Sequence, residues 1–391
     1  MVFRRQSLFK FVAQILIVAC SLSMAFGATS CSHAEDSFSD ALAAIKAIEP
    51  NGVGNESAVK AIKTLNSASI DQVPAILKAM DGANKISINW FRSAVLSIVA
   101  RGEALPRKAI EEFFQDTSHS QMGRLLAFDL LTDGNQELAD QMIPKLIDDP
   151  SMPLRRLAVK ALIEKADASL ESDPPASIGS LGFALSKARD VGQVQSIAEK
   201  LDSLGVKVNL QKQLGFLNTW HLVGSFNNKD MAGFDVAYGP EEAIGMIDLN
   251  AIYQDQNGED VTWKQVTTDH ATGNVDLNSL IGKLKGATVY ALGNFKSIED
   301  REAEIRIGTA NATKIWVNGQ LVMENEIYHN SNSIDKFKGK LNLVKGDNQI
   351  LIKVCQNEQT EQWAQDWQFQ LRICDETGKP IDQPKPPAPR Q

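Results

Sequence analysis

Lys314-Ile315-Trp316-Val317-Asn318-Gly319-Gln320-Leu321-Val322-Met323 reads as two short strands joined by a two-residue turn. Asn-Gly is the strongest short hairpin signal, because both central residues need positive φ. A second turn, Lys345-Gly346-Asp347-Asn348, follows the apolar run Leu341–Val344. Outward from this hairpin lie more short strands: Trp220–Gly224, Thr288–Leu292, Glu304–Ile307, Gln349–Val354 and Gln368–Ile373. Several alternate apolar with polar residues, as expected when one face is buried and the other is wet. Many short strands spaced by turns predict an antiparallel β-sandwich or jelly roll for the C-terminal half.

The same half resembles the galactose-binding-like sandwiches, which include carbohydrate-binding modules and occur beside helical repeats in secreted bacterial proteins. The residues that carry the resemblance are Trp220-His221-Leu222-Val223-Gly224-Ser225-Phe226, Pro240-Glu241, Val261-Thr262-Trp263, Val275-Asp276-Leu277, Lys314–Gly319 and Leu343–Asn348. It covers roughly 214–378 and departs from the pattern at Ser225, where a proline is expected before Phe226. Most of these residues are strand cores and turns, so they speak for a fold rather than a function. The resemblance implies polysaccharide as a ligand class.

Sugars are held by exposed aromatic platforms with neighbouring amides and carboxylates that hydrogen-bond hydroxyls. Tyr328, His329 and Asn330 lie in a polar loop that runs to Ser333, and Trp363 and Trp367 flank the Gln- and Glu-rich loop 356–367. These five are the candidate ligand-binding residues. Trp220 and Trp316 are expected in the core. No cofactor is expected. The resemblance implies at most a structural Ca²⁺ held by carboxylates and carbonyls; the run Glu299-Asp300-Arg301-Glu302 reads as exposed charge instead. Cys355 and Cys374 are expected as free buried thiols. Residues 349–356 and 367–374 read as neighbouring antiparallel strands, a hairpin in which the two sulfurs fall several residues apart along the ladder, beyond bonding reach.

The N-terminal half has a helical apolar period and a recurring unit. Asn89–Leu96, Gln121–Phe128 and Pro153–Lys160 align, with Arg92, Arg124 and Arg156 spaced by 32 both times. A period of that size signals stacked helical hairpins rather than one globular core. A second amphipathic segment precedes each: Val73–Met80, Ala104–Phe114 and Glu137–Ile147. Asp149-Pro150 marks the turn before the last helix, since proline cannot continue the preceding one. Helix, Asp-Pro turn, then Arg-x-Ala resembles the HEAT repeat family, which implies an α-solenoid and a protein partner docked on it. The arginine stems are expected to pack while their heads bond loop carbonyls. A further helical pair, roughly 37–49 and 55–67, reads as a divergent cap.

The expected organisation is α then β, in several domains: a signal peptide at 1–34, HEAT-like repeats at 35–172, a linker and capping helix at 173–212, an antiparallel sandwich at 213–379 and a disordered tail at 380–391. In the leader, Arg4, Arg5 and Lys10 precede the apolar run Phe11–Gly27, and Ser32-His33-Ala34 supplies a small-residue cleavage site. Ile17-Val18-Ala19-Cys20 offers an alternative, a lipid anchor on Cys20, and Arg4-Arg5 a partial twin-arginine pattern. Both point to an exported protein, periplasmic or extracellular, with no integral membrane segment after processing.

Losing the three cations of that leader takes the formal net charge from −8 to −11. An acidic chain without a basic stripe argues against nucleic acid, which needs clustered Lys and Arg to displace counterions. No zinc-protease, nucleophile-elbow, Walker or dinucleotide motif occurs. The histidines beyond the leader, His119, His221, His270 and His329, are scattered and suggest no metal site. The expected function is non-catalytic binding: carbohydrate on the sandwich, a protein on the repeats. The alternatives are an interaction scaffold without glycan binding and a hydrolase with a carboxylate pair.

Overall fold

The computed structural model describes residues 30–243, 245 and 247–384. Helices come first and antiparallel sheets follow. The chain divides into two compact units between Ala158 and Val159, inside a helix.

The first unit holds α1 (Ser30–Lys46), α2 (Asn55–Asn66), α3 (Val73–Ala79), α4 (Lys85–Val99), α5 (Arg107–Gln115), α6 (Gln121–Thr132), α7 (Gln136–Met142) and the start of α8 (Met152–Ser169). Side-chain caps start the helices locally: Asn84 accepts from the Ile86 and Ser87 N–H groups, Ser120 from Gly123 and Asn135 from Leu138. α1 packs on α2, α3 on α4 and α5 on α6, while α3 also touches α5 and α6. Their apolar stripes, among them Ile76, Phe91, Val95, Ile110, Leu126 and Leu131, merge into one core.

Polar ties join successive loops. The Lys46 ammonium donates to Asp81 O at 2.7 Å, and the Asp81 carboxylate accepts from Ser120 N at 2.6 Å and meets His119 Nδ1 at 2.7 Å. Arg124 donates through Nη1 and Nη2 to both Asp149 oxygens at 2.8 Å and through Nε to Phe114 O at 2.9 Å. The carbonyl it reaches belongs to the last turn of α5, not to a loop as expected of the arginines. The equal spacing of 32 is likewise not the structural period. Arg124 is the fourth residue of α6, and the fourth residue of α8 is the buried Arg155, which donates to Asp149 O at 2.8 Å, whereas Arg156 is exposed. In α4 that place belongs to Ile88 rather than Arg92. Loops of unequal length precede each helix, so a fixed residue count drifts off register.

The second unit opens with the end of α8, then α9 (Pro174–Lys187), α10 (Val191–Ser203) and α11 (Leu210–Leu214). Pro174-Pro175, expected in a polar linker, occupy the first turn of α9 with Asp173 as its N-cap. Proline fits there because that N–H has no intrahelical partner. The capping helix expected within 173–212 is more than one helix: α9 and α10 are separated at 188–190, where the Asp190 side chain caps α10.

The strands are β1 (Thr219–Asn227), β2 (Ile252–Gln254), β3 (Asp260–Thr262), β4 (Lys264–Thr267), β5 (Val275–Asp276), β6 (Ala287–Ser297), β7 (Arg301–Thr309), β8 (Ala312–Val317), β9 (Gln320–Asn325), β10 (Phe337–Leu343), β11 (Gly346–Gln356) and β12 (Gln368–Cys374). One six-stranded sheet runs β4-β1-β6-β11-β8-β9, one four-stranded sheet runs β10-β7-β12-β5, and β2 pairs with β3, all antiparallel. The Asn318-Gly319 turn joins β8 to β9 with positive φ at both residues. Asn318 and the buried Asn348 bond each other's side chains at 2.8 Å, which locks the two sequence-predicted turns together.

Both larger sheets contribute to one apolar cluster: Trp220, Val289, Ala291, Ile315 and Ile352 from the first, Ile305, Ile307, Phe369, Leu371 and Ile373 from the second. Trp220 meets Phe369 edge-on, with ring centroids 5.1 Å apart. A Cβ at Gly293 would lie 2.6 Å from the Trp220 ring, so only glycine lets the indole lie on β6. Trp316 is buried as expected, but in a different cluster, with Val223, Phe226, Trp263, Tyr290 and Leu351.

Charges are buried away from the shared core. Lys353, 0% exposed, donates to Phe234 O (3.0 Å), Val236 O (2.7 Å) and Glu241 Oε2 (2.9 Å), and Tyr290 OH donates to the same carboxylate oxygen at 2.6 Å. In the four-stranded sheet, Arg372 donates to both Asp335 oxygens, at 2.7 and 2.6 Å, and Arg306 donates to Asp335 at 3.1 Å and to Glu304. Burial by itself would raise the Asp335 pKa, but the hydrogen bonds and charge of Arg372 and the charge of Arg306 hold it below the ordinary value.

Cys355 and Cys374 are free and buried, and burial pushes both thiols up to about 11. The reason for their separation differs from the expected one. β11 sits between β6 and β8, β12 sits between β7 and β5 in the other sheet, and the two strands are not neighbours. Ile381, within the stretch read as tail, is buried against the shared core, and Pro380 bridges to Cys374. The leader lies outside the described residues up to Thr29, and Ser30–Ala34 begin α1; the last seven residues of the tail also lie outside. Among the described residues, no helix is long and apolar enough to cross a membrane.

Candidate ligand-binding site

The loop after β11, residues 357–367, is held from below by amides. Asn311 Nδ2 donates to Gln356 Oε1 (2.9 Å) and Asp366 O (3.0 Å), and Gln356 Nε2 donates to Ala364 O at 3.2 Å. The Lys285 ammonium reaches the same carbonyl at 2.7 Å. Within the loop, Gln365 Nε2 donates to Thr360 O and Glu361 O at 2.7 and 2.8 Å. With its backbone fixed at this many points, the loop carries its outer side chains as a preorganised surface.

Trp363 stands on that loop and is 63% exposed. The His329 ring meets it edge-on at 5.3 Å, with an interplanar angle of 87°. His329 has φ 56° and its Nε2 lies 2.5 Å from Asn357 Oδ1. That oxygen also accepts from Gln359 N at 3.1 Å, so the histidine donates to it through Nε2. Tyr328, half-buried, accepts from Asn228 Nδ2 at 3.3 Å, and Asn228 Nδ2 also donates to Gln356 O at 3.0 Å. Burial pushes the Tyr328 phenol well above its ordinary range, and the charges of Glu326 and Glu358 add to the shift. The phenol therefore keeps its proton near neutral pH and has it to offer beside the bond it accepts from Asn228.

A shallow depression of about 610 Å³ is lined by Met231, Tyr328, Asn357, Glu358, Gln359, Thr360 and Glu361; it shares Tyr328 and the loop with the His329–Trp363 pair, which is not part of its lining. It offers amide, hydroxyl, phenol and carboxylate groups with one apolar contact, a mixture suited to polyhydroxyl ligands. Glu358 accepts from the Asp230 N–H and so ties the loop to the turn 229–234, where Asp230 and Met231 both have positive φ.

Of the five expected residues, Tyr328, His329 and Trp363 come together here. Asn330 turns away: its N–H donates to Ala310 O at 3.2 Å and its side-chain oxygen accepts from Ser331 N. Trp367 is 0% exposed and packs in the shared core with Phe369, because the loop ends and β12 begins at that point. Asn228, Met231 and Asn311 reach the site from distant strands and turns and had no local signal. Asn357, Gln359 and Thr360 lie in the Gln- and Glu-rich loop already noted.

A second depression, of about 530 Å³, is lined by residues of β7, β10 and the turn after β12, among them Arg301, Glu302, Glu304, Lys340 and Asp375. Glu304 is committed to Arg306, and Asp375 caps its own turn by accepting from Thr377 and Lys379. Among the described residues, no three His, Cys, Asp or Glu side chains converge as a metal site. Asp300, in the charge run considered for Ca²⁺, accepts from Lys345 N at 2.6 Å.

No family model and no curated protein matches the chain. Among solved structures, a β-glucosidase from Kluyveromyces marxianus in complex with glucose is 16% identical over 30% of this chain and 14% of its own, with TM-score 0.22. A family 35 carbohydrate binding module from Clostridium thermocellum is 14% identical over 22% of this chain and 71% of its own, with TM-score 0.19. An anti-sigma factor domain-containing protein from Clostridium clariflavum is 13% identical over 45% and 49%, with TM-score 0.25. The chain thus spans about one seventh of the β-glucosidase it resembles. TM-scores of this size do not establish a shared fold.

Proposed function

We propose that the protein is an exported, non-catalytic binding protein whose second unit, a galactose-binding-like β-sandwich, holds a polysaccharide at the Trp363 face. The observation that carries this reading is the exposed Trp363 indole, held edge-on by His329 on the loop whose residues 357–361 line a depression of hydroxyl, amide and carboxylate groups. An indole open to solvent on a rigid loop can stack on a pyranose face while its neighbours bond hydroxyls. Glu358 serves in this reading as a loop tie rather than an acid or base, since it accepts from Asp230 N–H.

The helical half is, in the same reading, a HEAT-like solenoid that docks a protein partner. Its support is the paired packing of α1 to α6 and the polar ties between successive loops.

Native electrophoresis of the full chain through gels containing soluble polysaccharides tests the glycan site. Retardation by at least one polymer, lost in Trp363→Ala, is the expected result. An exposed side chain removed from a tied loop changes stability by less than about 1 kcal/mol, so thermal unfolding of the variant should match the parent. Equal retardation of parent and variant would place binding elsewhere.

A further inference from the structure

We infer that the Trp363 face favours uncharged glycans over those that carry uronate or sulfate groups. The inference rests on the glycan reading above. Its basis is the sign of the groups around the depression. The lining includes two carboxylates, Glu358 and Glu361, and no basic side chain. Glu326 is exposed and near enough to Tyr328 for its charge to act on the phenol. The other lining groups are neutral: a phenol, two amides, a hydroxyl and a thioether.

The cations nearest in the chain are used elsewhere or stand outside. The Lys285 ammonium is bonded to Ala364 O, beneath the loop, and its desolvation lowers its affinity for a proton despite the nearby Glu361. Lys336 donates to Ser331 Oγ at 3.1 Å, and Lys314 lies over the Phe234 ring and pairs with Asp235. Lys229, beside Asp230, lies outside the lining, and His329, against Trp363, is bonded through Nε2 to Asn357 Oδ1. An anionic sugar therefore finds acceptors where it needs donors. Bound carboxylates and sulfates are normally matched by Arg or Lys.

The repulsion is sizeable but not absolute. An anion about 7 Å from each of two carboxylates, in surroundings close to water, loses roughly tenfold in affinity at low salt. Neutral hydroxyls, by contrast, can donate to Glu361 and accept from Gln359, Thr360 and Tyr328.

The test uses the full chain and polymer pairs matched in backbone and differing in charge: hydroxyethyl-cellulose against carboxymethyl-cellulose, and methyl-esterified against de-esterified polygalacturonate. These run beside a panel of uncharged plant and microbial polysaccharides, all in affinity gels at low salt. The expected result is retardation by uncharged polymers, with the anionic member of any bound pair at least about fivefold weaker. In Glu326→Gln/Glu361→Gln the ratio between the two members should fall, read against the retardation of the uncharged member in the same variant. A control variant of equal net charge, Glu111→Gln/Glu171→Gln, changes two other exposed carboxylates and should keep the full gap. Equal or stronger retardation by the anionic member, abolished in Trp363→Ala, would overturn the selectivity and leave the glycan reading standing. A gap that the control variant shrinks as much as the site variant would also overturn it, since repulsion by the whole chain would then suffice. Retardation by no polymer at all would remove the glycan reading, and this inference with it.

Discussion

Asp335→Ala is the most informative perturbation of the second unit, because one carboxylate there neutralises two buried guanidiniums. Arg372 is 0% exposed and sends two of its bonds, at 2.7 and 2.6 Å, to Asp335, and Arg306 adds a third at 3.1 Å. After truncation Arg306 keeps Glu304, but Arg372 is left with only the Leu214 and Gly378 carbonyls. An uncompensated charge buried by loss of its partner costs about 3–5 kcal/mol. In a unit of this size each kcal/mol lowers Tm by about 2–4 °C, so a fall of about 6–20 °C is expected. Tryptophan fluorescence in urea is the natural assay, since five of the six tryptophans lie in the second unit.

The acid dependence supplies an independent check. Asp335 is held below the ordinary aspartate value of 3.8 in the folded protein. Its stabilisation is therefore fully present above about pH 4 and is lost as pH falls through the lower folded pKa. The stability gap between parent and Asp335→Asn should be constant from pH 7 to 5 and close below pH 4. A loss under about 1 kcal/mol for the alanine variant, or a gap independent of pH down to 3, would refute the argument. The same variant bears on the site, because Asp335 anchors the loop that carries Tyr328 and His329. Ser333 O lies 2.5 Å from where a Cβ on Gly308 would be, so that loop rests directly on β7.

Three other outcomes follow from the packing. Asp149→Ala should destabilise the first unit by about 3–5 kcal/mol, since it strands the buried Arg124 guanidinium; helical circular dichroism during thermal melting reads the loss, and an unchanged melt would make the pair dispensable. Lys353→Met should destabilise the second unit by about 3 kcal/mol and speed proteolysis within 228–243, because the Phe234 and Val236 carbonyls lose their donor; a protease pattern identical to the parent's would argue against that role. In a Cys20→Ser/Cys31→Ser background, Cys355 and Cys374 should react with a thiol reagent at pH 8 only after unfolding, as both are buried with pKa values near 11; rapid reaction of the native protein would show either thiol to be accessible.

Local chemistry settled a good deal in advance. Alternation marked the strands, Asn318-Gly319 marked its hairpin through positive φ, and the helical period marked the first half. Tyr328, His329 and Trp363 stood out as ring side chains in stretches rich in polar residues. Signals of this kind act within a few residues, and a single sequence carries them directly.

Sheet membership, by contrast, depends on which strands meet after the chain has crossed the core, so β11 and β12 part company although they are consecutive. The same holds for Trp367, whose burial is set by Phe369 and the opposite sheet rather than by its loop. Asn228 and Asn311 serve the site from far along the chain, and a buried amide's partners are fixed by tertiary approach. The helical register followed unequal loop lengths, so Arg155 took the place that equal spacing assigned to Arg156. Periodicity thus determined what each segment is, while long-range packing alone decided which side chains face one another.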